Sequence, residues 1–110
     1  MTDLEITRLC AEAIGYECRY GQTPVHTTRI LANMPGSISS FEYDPLNDSY
    51  QVMRLVQRFG VFLHRNVSDL QWDAIVGKDP ETPFKARDMD VARAICECVA
   101  KMQSTKQKSA

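Results

Sequence analysis

The stretch Asp88-Met-Asp-Val-Ala-Arg-Ala-Ile-Cys-Glu-Cys-Val-Ala-Lys-Met-Gln103 has the composition of a helix that is buried on most of its circumference. Three charged residues, Arg93, Glu97 and Lys101, interrupt the apolar run from Val91 to Met102. Their spacing of four places them in one narrow stripe along a helix. The other positions of the run are small or apolar, and such a helix is normally buried. Asp88 or Asp90 is its predicted N-cap. We therefore expect the rest of the chain, or a second copy of it, to wrap around this helix.

A first amphipathic helix is predicted near the N-terminus. It begins at Thr2, which forms with Glu5 the Thr-x-x-Glu pattern of a capping box, and it ends at Gly15. Its apolar face repeats at helical spacing and consists of Ile6, Leu9, Cys10 and Ala13. The opposite face is expected to meet water and consists of Thr7, Arg8, Ala11 and Glu12.

A second amphipathic helix follows the Asp44-Pro45 turn, with Asn47 or Asp48 as its N-cap and Gly60 as its stop. Its apolar face consists of Val52, Leu55, Val56 and Phe59. Its solvent face is expected to consist of Arg54, Gln57 and Arg58.

Short segments between the helices have the pattern of strands joined by tight turns. They are Tyr16–Tyr20, Val25–Leu31, Phe41–Tyr43, Val61–Arg65 and Leu70–Val76, while residues 84–87 are too few for an assignment. The turns at 21–24 and 66–69 imply antiparallel pairing. The order α-β-β-(β)-α-β-β-α predicts an α+β fold, with a mainly antiparallel sheet sandwiched between helices. We expect one such domain over residues 1–103 and a disordered tail over 104–110.

The overall composition restricts the classes of function. The 110 residues carry a formal net charge of −1, with a pI near 6.1, so nucleic acid is not an expected partner. No apolar run approaches the roughly 18 residues of a membrane span. The start Met-Thr-Asp-Leu-Glu lacks the features of a signal peptide. We therefore expect a cytoplasmic protein that does not contact membranes.

The four cysteines are expected to be small buried hydrophobic residues in a reducing compartment. Cys96 and Cys98 are two positions apart, about 200° around a helix, and cannot hold one metal ion together. A zinc site formed by Cys18, His26 and His64 is the alternative, although no ligand-pair spacing supports it.

No catalytic motif is present, and we expect no enzymatic activity and no cofactor. His26 and His64 lie in predicted strands, without a partner that the sequence can place beside them. The segment Asp44–Asp48 concentrates acidic residues, but its spacing is that of a turn with an N-cap rather than an EF-hand loop.

A partner protein is the kind of ligand that we favour, and four residues are candidates for its binding surface. They are Arg54, Arg58, Arg65 and Trp72. The arginines could form a cationic surface, with a solvated helix face as the alternative. Trp72 alternates with Asp73 and is expected to point inward, on the face that it shares with Leu70 and Ala74.

Three stretches together resemble the phage ABA-sandwich domain family, which consists of small proteins of tailed phages and prophages. They are residues 1–15, the turn Tyr43–Asp48 with its helix to Gly60, and residues 94–103. The turn and the closing helix are the specific parts, and the resemblance covers a little under half of the chain. It implies a sheet between helices and a phage or prophage origin, and it transfers no catalytic or binding residue.

Three hypotheses for the function follow. The first is a non-catalytic interaction domain that binds a host or phage protein, with inhibition of a host defence protein as one role it could have. The second is a self-associating accessory phage protein, a homodimer formed through the last helix. The third is a small-ligand or metal-binding protein that uses His26, His64 or the Asp44–Asp48 turn.

Overall fold

The computed structural model describes residues 1–22, 28–77 and 83–109. Nine elements follow one another in these ranges: α1 (Asp3–Ala13), β1 (Glu17–Gln22), β2 (Thr28–Asn33), β3 (Phe41–Glu42), α2 (Ser49–Phe59), β4 (Phe62–Arg65), β5 (Trp72–Val76), β6 (Phe84–Asp88) and α3 (Val91–Ser109). Residues 23 and 24 of the predicted turn and residues 25–27 of the predicted strand Val25–Leu31, among them His26, lie outside the described residues.

The α+β class and the antiparallel pairing are confirmed, but the strands form two sheets instead of one. Sheet A has the order β1-β2-β3 and sheet B the order β4-β5-β6. Every pairing is antiparallel. The third strand of sheet B was not assigned from the sequence; its apolar residues, Phe84 and Ala86, stand opposite Val76 and Ala74 of β5.

Helix α3 is the centre of the core, as its composition predicts. It contacts α1, α2, β5 and β6. Between Ala94 and Ala100, every residue except Glu97 has no more than 2% of its surface exposed. The apolar surface that suggested a dimer through this helix is therefore covered within the chain.

Helix α1 is buried on two sides, which corrects its predicted solvent face. It packs against α3 on one side and against β1 and β2 on the other. Thr7 and Ala11, expected to meet water, are buried, and the Thr7 hydroxyl donates to the Asp3 carbonyl at 2.8 Å. The stacking thus differs from a sheet between helices: α1 and α3 pack on each other, and each of them also packs against one sheet.

The helix ends follow the predicted caps. Thr2 Oγ1 accepts the Glu5 N–H at 3.2 Å, and Asp48 Oδ1 accepts the Gln51 N–H at 3.0 Å. Gly60 ends α2 with a φ of +63°, a conformation that favours glycine. Asp90 Oδ1 accepts the Ala92 N–H at the start of α3.

The last helix is longer than predicted. It continues past Gln103 to Ser109, through most of the segment expected to be a disordered tail. This segment contains no glycine or proline, and Lys106 lies near the C-terminal end of the helix, where the helix dipole favours a positive charge. In the part of the chain that the structure describes, no helix is long and apolar enough to cross a membrane.

Candidate interaction surface

A surface groove of about 200 Å³ lies where the end of α1, strand β3 and helix α2 meet. We call it the aromatic groove. Its lining consists of Ile14, Tyr16, Phe41, Tyr43, Asp48, Tyr50, Gln51 and Arg54. These residues come from separate segments of the chain, so the groove depends on the tertiary fold.

Three aromatic rings form one wall of the groove and pack edge to face. The Tyr16 ring centroid lies 5.4 Å from that of Phe41 and 5.6 Å from that of Tyr43. Tyr43 is buried and supports the other two, whereas Phe41 is 38% exposed. The wall therefore presents a rigid apolar surface to solvent.

Hydrogen bonds connect the turn that follows β3 to α2. The Gln51 side chain accepts the Asp44 N–H at 2.6 Å and donates to the Glu42 carbonyl at 3.0 Å. Asp44 accepts from the Asn47 side chain at 2.9 Å. Together with the Asp48 cap, these bonds confirm that the Asp44–Asp48 segment is a turn with an N-cap.

Helix α2 forms the other wall and carries two of the predicted binding residues. Tyr50 is 71% and Met53 49% exposed. Arg54 donates to the Tyr50 hydroxyl at 3.5 Å, and this hydrogen bond raises the pKa of Arg54. The Arg58 guanidinium lies 5.7 Å from the centre of the Phe59 ring. Among the described residues, neither arginine forms an ion pair with a carboxylate.

Arg65 and Trp72, the other two predicted residues, lie on sheet B. They stand opposite each other on β4 and β5, and the Arg65 guanidinium is 5.7 Å from the centre of the Trp72 ring. Trp72 is partly buried and packs against the core on the side of the buried Ala74, but Leu70, which was predicted to share this face, precedes the strand and is 54% exposed. The four candidates thus belong to two places, α2 and sheet B.

The cysteines on α3 face opposite sides of the helix, as predicted. Cys10 donates to the Cys96 carbonyl at 3.3 Å, whereas the Cys98 thiol donates to the Phe84 carbonyl at 3.2 Å. Burial raises the pKa of Cys98 to about 11. Cys10, Cys96 and Cys98 are buried as predicted, whereas Cys18 is only half-buried, and its partial burial raises its pKa. Buried thiols with raised pKa values are poor nucleophiles and poor metal ligands at neutral pH.

Of the residues considered for a zinc site, Cys18 and His64 are described and lie on different sheets, whereas His26 lies outside the described residues. Cys18 is on sheet A and His64 on sheet B, and the described residues contain no cluster of three metal ligands. His64 stands opposite Asp73, whose carboxylate accepts two hydrogen bonds from Arg87, at 2.7 and 3.1 Å. These bonds lower the pKa of Asp73.

The hydroxyl of Tyr43 has an unusual environment beneath the groove. It is buried and has no hydrogen-bond partner in the described part of the chain, and burial raises the pKa of Tyr43. An unpaired buried hydroxyl costs free energy because it has lost its water. Its removal should therefore be favourable.

The variant Tyr43→Phe tests this directly. It is expected to raise the free energy of unfolding by about 1 kcal/mol, measured by urea denaturation. Tyr50→Phe, which removes an exposed hydroxyl, is the matched control and should change the value by less than about 0.5 kcal/mol. A clear loss of stability in Tyr43→Phe would show that the hydroxyl is paired.

Sequence reasoning found Arg54 but missed Tyr16 and Phe41. Only their positions in the sequence could have indicated them: Tyr16 follows the glycine after α1, and Phe41 stands two residues before the turn that begins at Tyr43.

Comparison with known proteins found no match to this chain among family models, curated proteins or solved structures.

Proposed function

We propose that the chain is a non-catalytic interaction domain that binds a partner protein through the aromatic groove and the exposed face of α2. The observation that carries this proposal is the pairing of an exposed tyrosine, Tyr50, with Arg54 at the mouth of a groove whose far wall is aromatic.

The residue types support binding to protein. Tyrosine and arginine are enriched among residues that contribute most to binding energy, and methionine and aromatic residues are enriched at interfaces generally. The edge-to-face wall fixes Tyr16 and Phe41 before a partner arrives, which reduces the entropy lost on binding.

The charges of α2 indicate which partner fits. The helix contains Arg54 and Arg58 and no acidic residue. Because neither arginine pairs with a carboxylate among the described residues, both are available to an acidic group on the partner. The expected partner surface therefore combines an apolar side chain, for the groove, with a carboxylate beside it.

The setting of this function is proposed on the resemblance alone. If the chain is encoded by a phage or prophage, its partner is a host or phage protein in the bacterial cytoplasm. Inhibition of a host defence protein is one such role. It would need no catalytic residue, because occupation of the partner's surface is sufficient.

A capture experiment with matched baits tests the proposal. The tagged protein and its Tyr50→Ala and Arg54→Glu variants are incubated with bacterial host lysate, and bound proteins are quantified by mass spectrometry. We expect one recurrent partner, recovered at least about tenfold less by each variant.

Arg19→Glu makes the same charge change on β1, away from the groove, and serves as the control. It should leave recovery unchanged. A partner that all four baits retain equally would contradict the assignment of the binding site, and the repeated absence of a specific partner would contradict the function.

A further inference from the structure

Strand β4 lies at an edge of sheet B, next to β5. The Asn66 N–H donates to the Gln71 carbonyl at 2.8 Å, in the same register as the pair Arg65 and Trp72. Hydrogen-bonded and non-hydrogen-bonded pairs alternate along an antiparallel ladder. The backbone N–H and C=O groups of Leu63 and Arg65 therefore point away from β5, toward the edge.

These backbone groups are open. Among the described residues, neither Leu63 nor Arg65 forms a backbone hydrogen bond beyond the pairing with β5. The other edge strand, β6, differs, because the Lys101 ammonium of α3 donates to the carbonyl of Lys85 at 2.9 Å. Free N–H and C=O groups at a sheet edge are a template for another strand. The edge at β4 can therefore accept a strand from another chain.

Apolar side chains lie on both faces of this edge. Phe62 is 63% exposed and, with His64, lies on the face of sheet B opposite the buried Ala74. Leu63 is opposite Ala74 and partly buried. A strand added beside β4 would cover Phe62 on one face and Leu63 on the other, so the contact would also bury apolar surface.

The charge along β4 and the preceding helix is positive. From Ser49 to Ser68 the sequence contains three arginines and no acidic residue. Among the described residues, Arg54, Arg58 and Arg65 form no ion pair with a carboxylate. Arginines elsewhere in the chain do form such pairs: Arg8, Arg29, Arg87 and Arg93.

The acidic residues of sheet B and its hairpin loop do not neutralise this charge. Asp69 and Asp73 both form ion pairs with Arg87, and Asp88 forms one with Arg93. Charge complementarity therefore favours an acidic strand at β4. It disfavours a second copy of β4, which would bring the two copies of Arg65 together.

We infer that β4 accepts an extended acidic segment of a partner protein, which extends the three-stranded sheet B by one strand. The segment runs antiparallel to β4. Its acidic residue pairs with Arg65, and the next two residues are apolar and pair with His64 and Leu63. The first apolar residue also reaches Phe62 across the diagonal. This inference rests on the proposed function, in that the segment belongs to a partner protein, and it adds a second contact to that of the aromatic groove.

A short peptide with this pattern is the probe. Acetyl-Thr-Glu-Val-Leu-Thr-amide is titrated to about 5 mM into isotope-labelled protein and followed by NMR, with an expected dissociation constant of about 1 mM. The amides of Leu63 and Arg65 should exchange with solvent at least about tenfold more slowly when the peptide is bound. The amides of Phe62 and His64 already point toward β5 and should change little.

An exchange of charges tests the pairing with Arg65. Arg65→Glu should bind the peptide at least about fivefold more weakly. The same peptide with lysine in place of glutamate should bind Arg65→Glu more tightly than it binds the wild type. Arg19→Glu makes the equivalent change on sheet A and should behave as the wild type. Failure of the lysine peptide to recover binding to Arg65→Glu would overturn the assigned register.

A second pair of variants tests the backbone contact. Arg65→Pro removes an N–H that points away from β5, and proline is tolerated on edge strands. Arg65→Gln also lacks the charge but keeps this N–H. We expect Arg65→Gln to retain weak binding and Arg65→Pro to lose it, with the amide spectrum confirming that both are folded. Equal binding by the two variants would contradict strand addition.

Three further results would overturn the inference. The first is the absence of any change at β4 up to about 5 mM peptide. The second is a response confined to the aromatic groove. The third is slow exchange at Leu63 and Arg65 that increases with protein concentration without peptide, because a second copy would then occupy the edge.

The lysate experiment separates this inference from the proposed function. Arg65→Pro keeps the aromatic groove, and Tyr50→Ala keeps the edge of β4. A partner that Arg65→Pro captures as the wild type does, but that Tyr50→Ala loses, would overturn strand addition and leave the groove as the binding site. A partner with the reverse preference would support the edge and overturn the groove.

Discussion

The substitution Ala11→Glu is expected to lower the free energy of unfolding by about 4 kcal/mol or more. Ala11 has no exposed surface and lies on α1, which packs against both α3 and sheet A. A glutamate there would have to bury its carboxylate without a partner or separate the helix from its neighbours. Because small domains are stable by about 5–15 kcal/mol, we expect partial or complete unfolding at room temperature.

Urea denaturation followed by circular dichroism measures this change, with Gln57→Glu as the control. That substitution adds the same side chain to an exposed helix position and should change the free energy by less than about 0.5 kcal/mol. If Ala11→Glu were as mild as its control, α1 would have a solvent face, and the contact between α1 and sheet A would be wrong.

The substitution Leu55→Ala is expected to lower the free energy of unfolding by about 2–5 kcal/mol. Leu55 is fully buried and lies on α2, the helix that packs on α3 and forms one wall of the aromatic groove. The lost methyl groups and the remaining cavity both contribute to the change. Since Tyr50 and Arg54 depend on the position of α2, binding should weaken together with stability.

Met53→Ala separates these two effects. Met53 is on the same helix but is 49% exposed. Its truncation to alanine should therefore change the free energy of unfolding little, but it should weaken the binding of a partner that contacts α2. Thermal and urea unfolding of both variants gives the comparison. Equal losses in the two variants would show that Leu55 does not anchor α2 to the core.

The parts of the fold that sequence reasoning predicts correctly depend on local chemistry. The capping side chains of Thr2, Asp48 and Asp90 bond backbone N–H groups two or three residues away. Gly60 is needed where the chain turns left-handed. The burial of α3 follows because its apolar residues leave only a narrow charged stripe.

The predictions for the solvent face of α1 and for a single sheet were wrong, because these features depend on small residues and on contacts between distant segments. The residue types of Ala11 and Thr7 do not reveal whether they are buried. Alanine fits buried and exposed sites alike, and the Thr7 hydroxyl can be buried because it donates a hydrogen bond to a carbonyl of its own helix. Periodicity therefore identified one buried face of α1 where there are two. Strand pairing also depends on distant contacts, so the division into two sheets was not predicted.

The same limit applies to the binding surface. Arg54 was identified because it stands on the polar face of a periodic helix. Tyr16, Phe41 and Tyr50 become neighbours only when α1, β3 and α2 meet, and nothing in their spacing along the chain indicates this. The left-handed backbone of Leu70, with a φ of +60°, was equally absent from the pattern, which placed that residue in the following strand.

The central position of α3 also has a consequence for biosynthesis. Among the described elements it is the last in chain order, yet α1, α2 and sheet B all contact it. On the ribosome, α1, α2, β5 and β6 emerge before the helix that covers their apolar sides. Because chains are made at about 5–20 residues per second, these surfaces stay uncovered for seconds and are open to chaperones. Completion of the core thus waits for the final helix, and a nascent chain interrupted before Val91 would be a substrate for quality control.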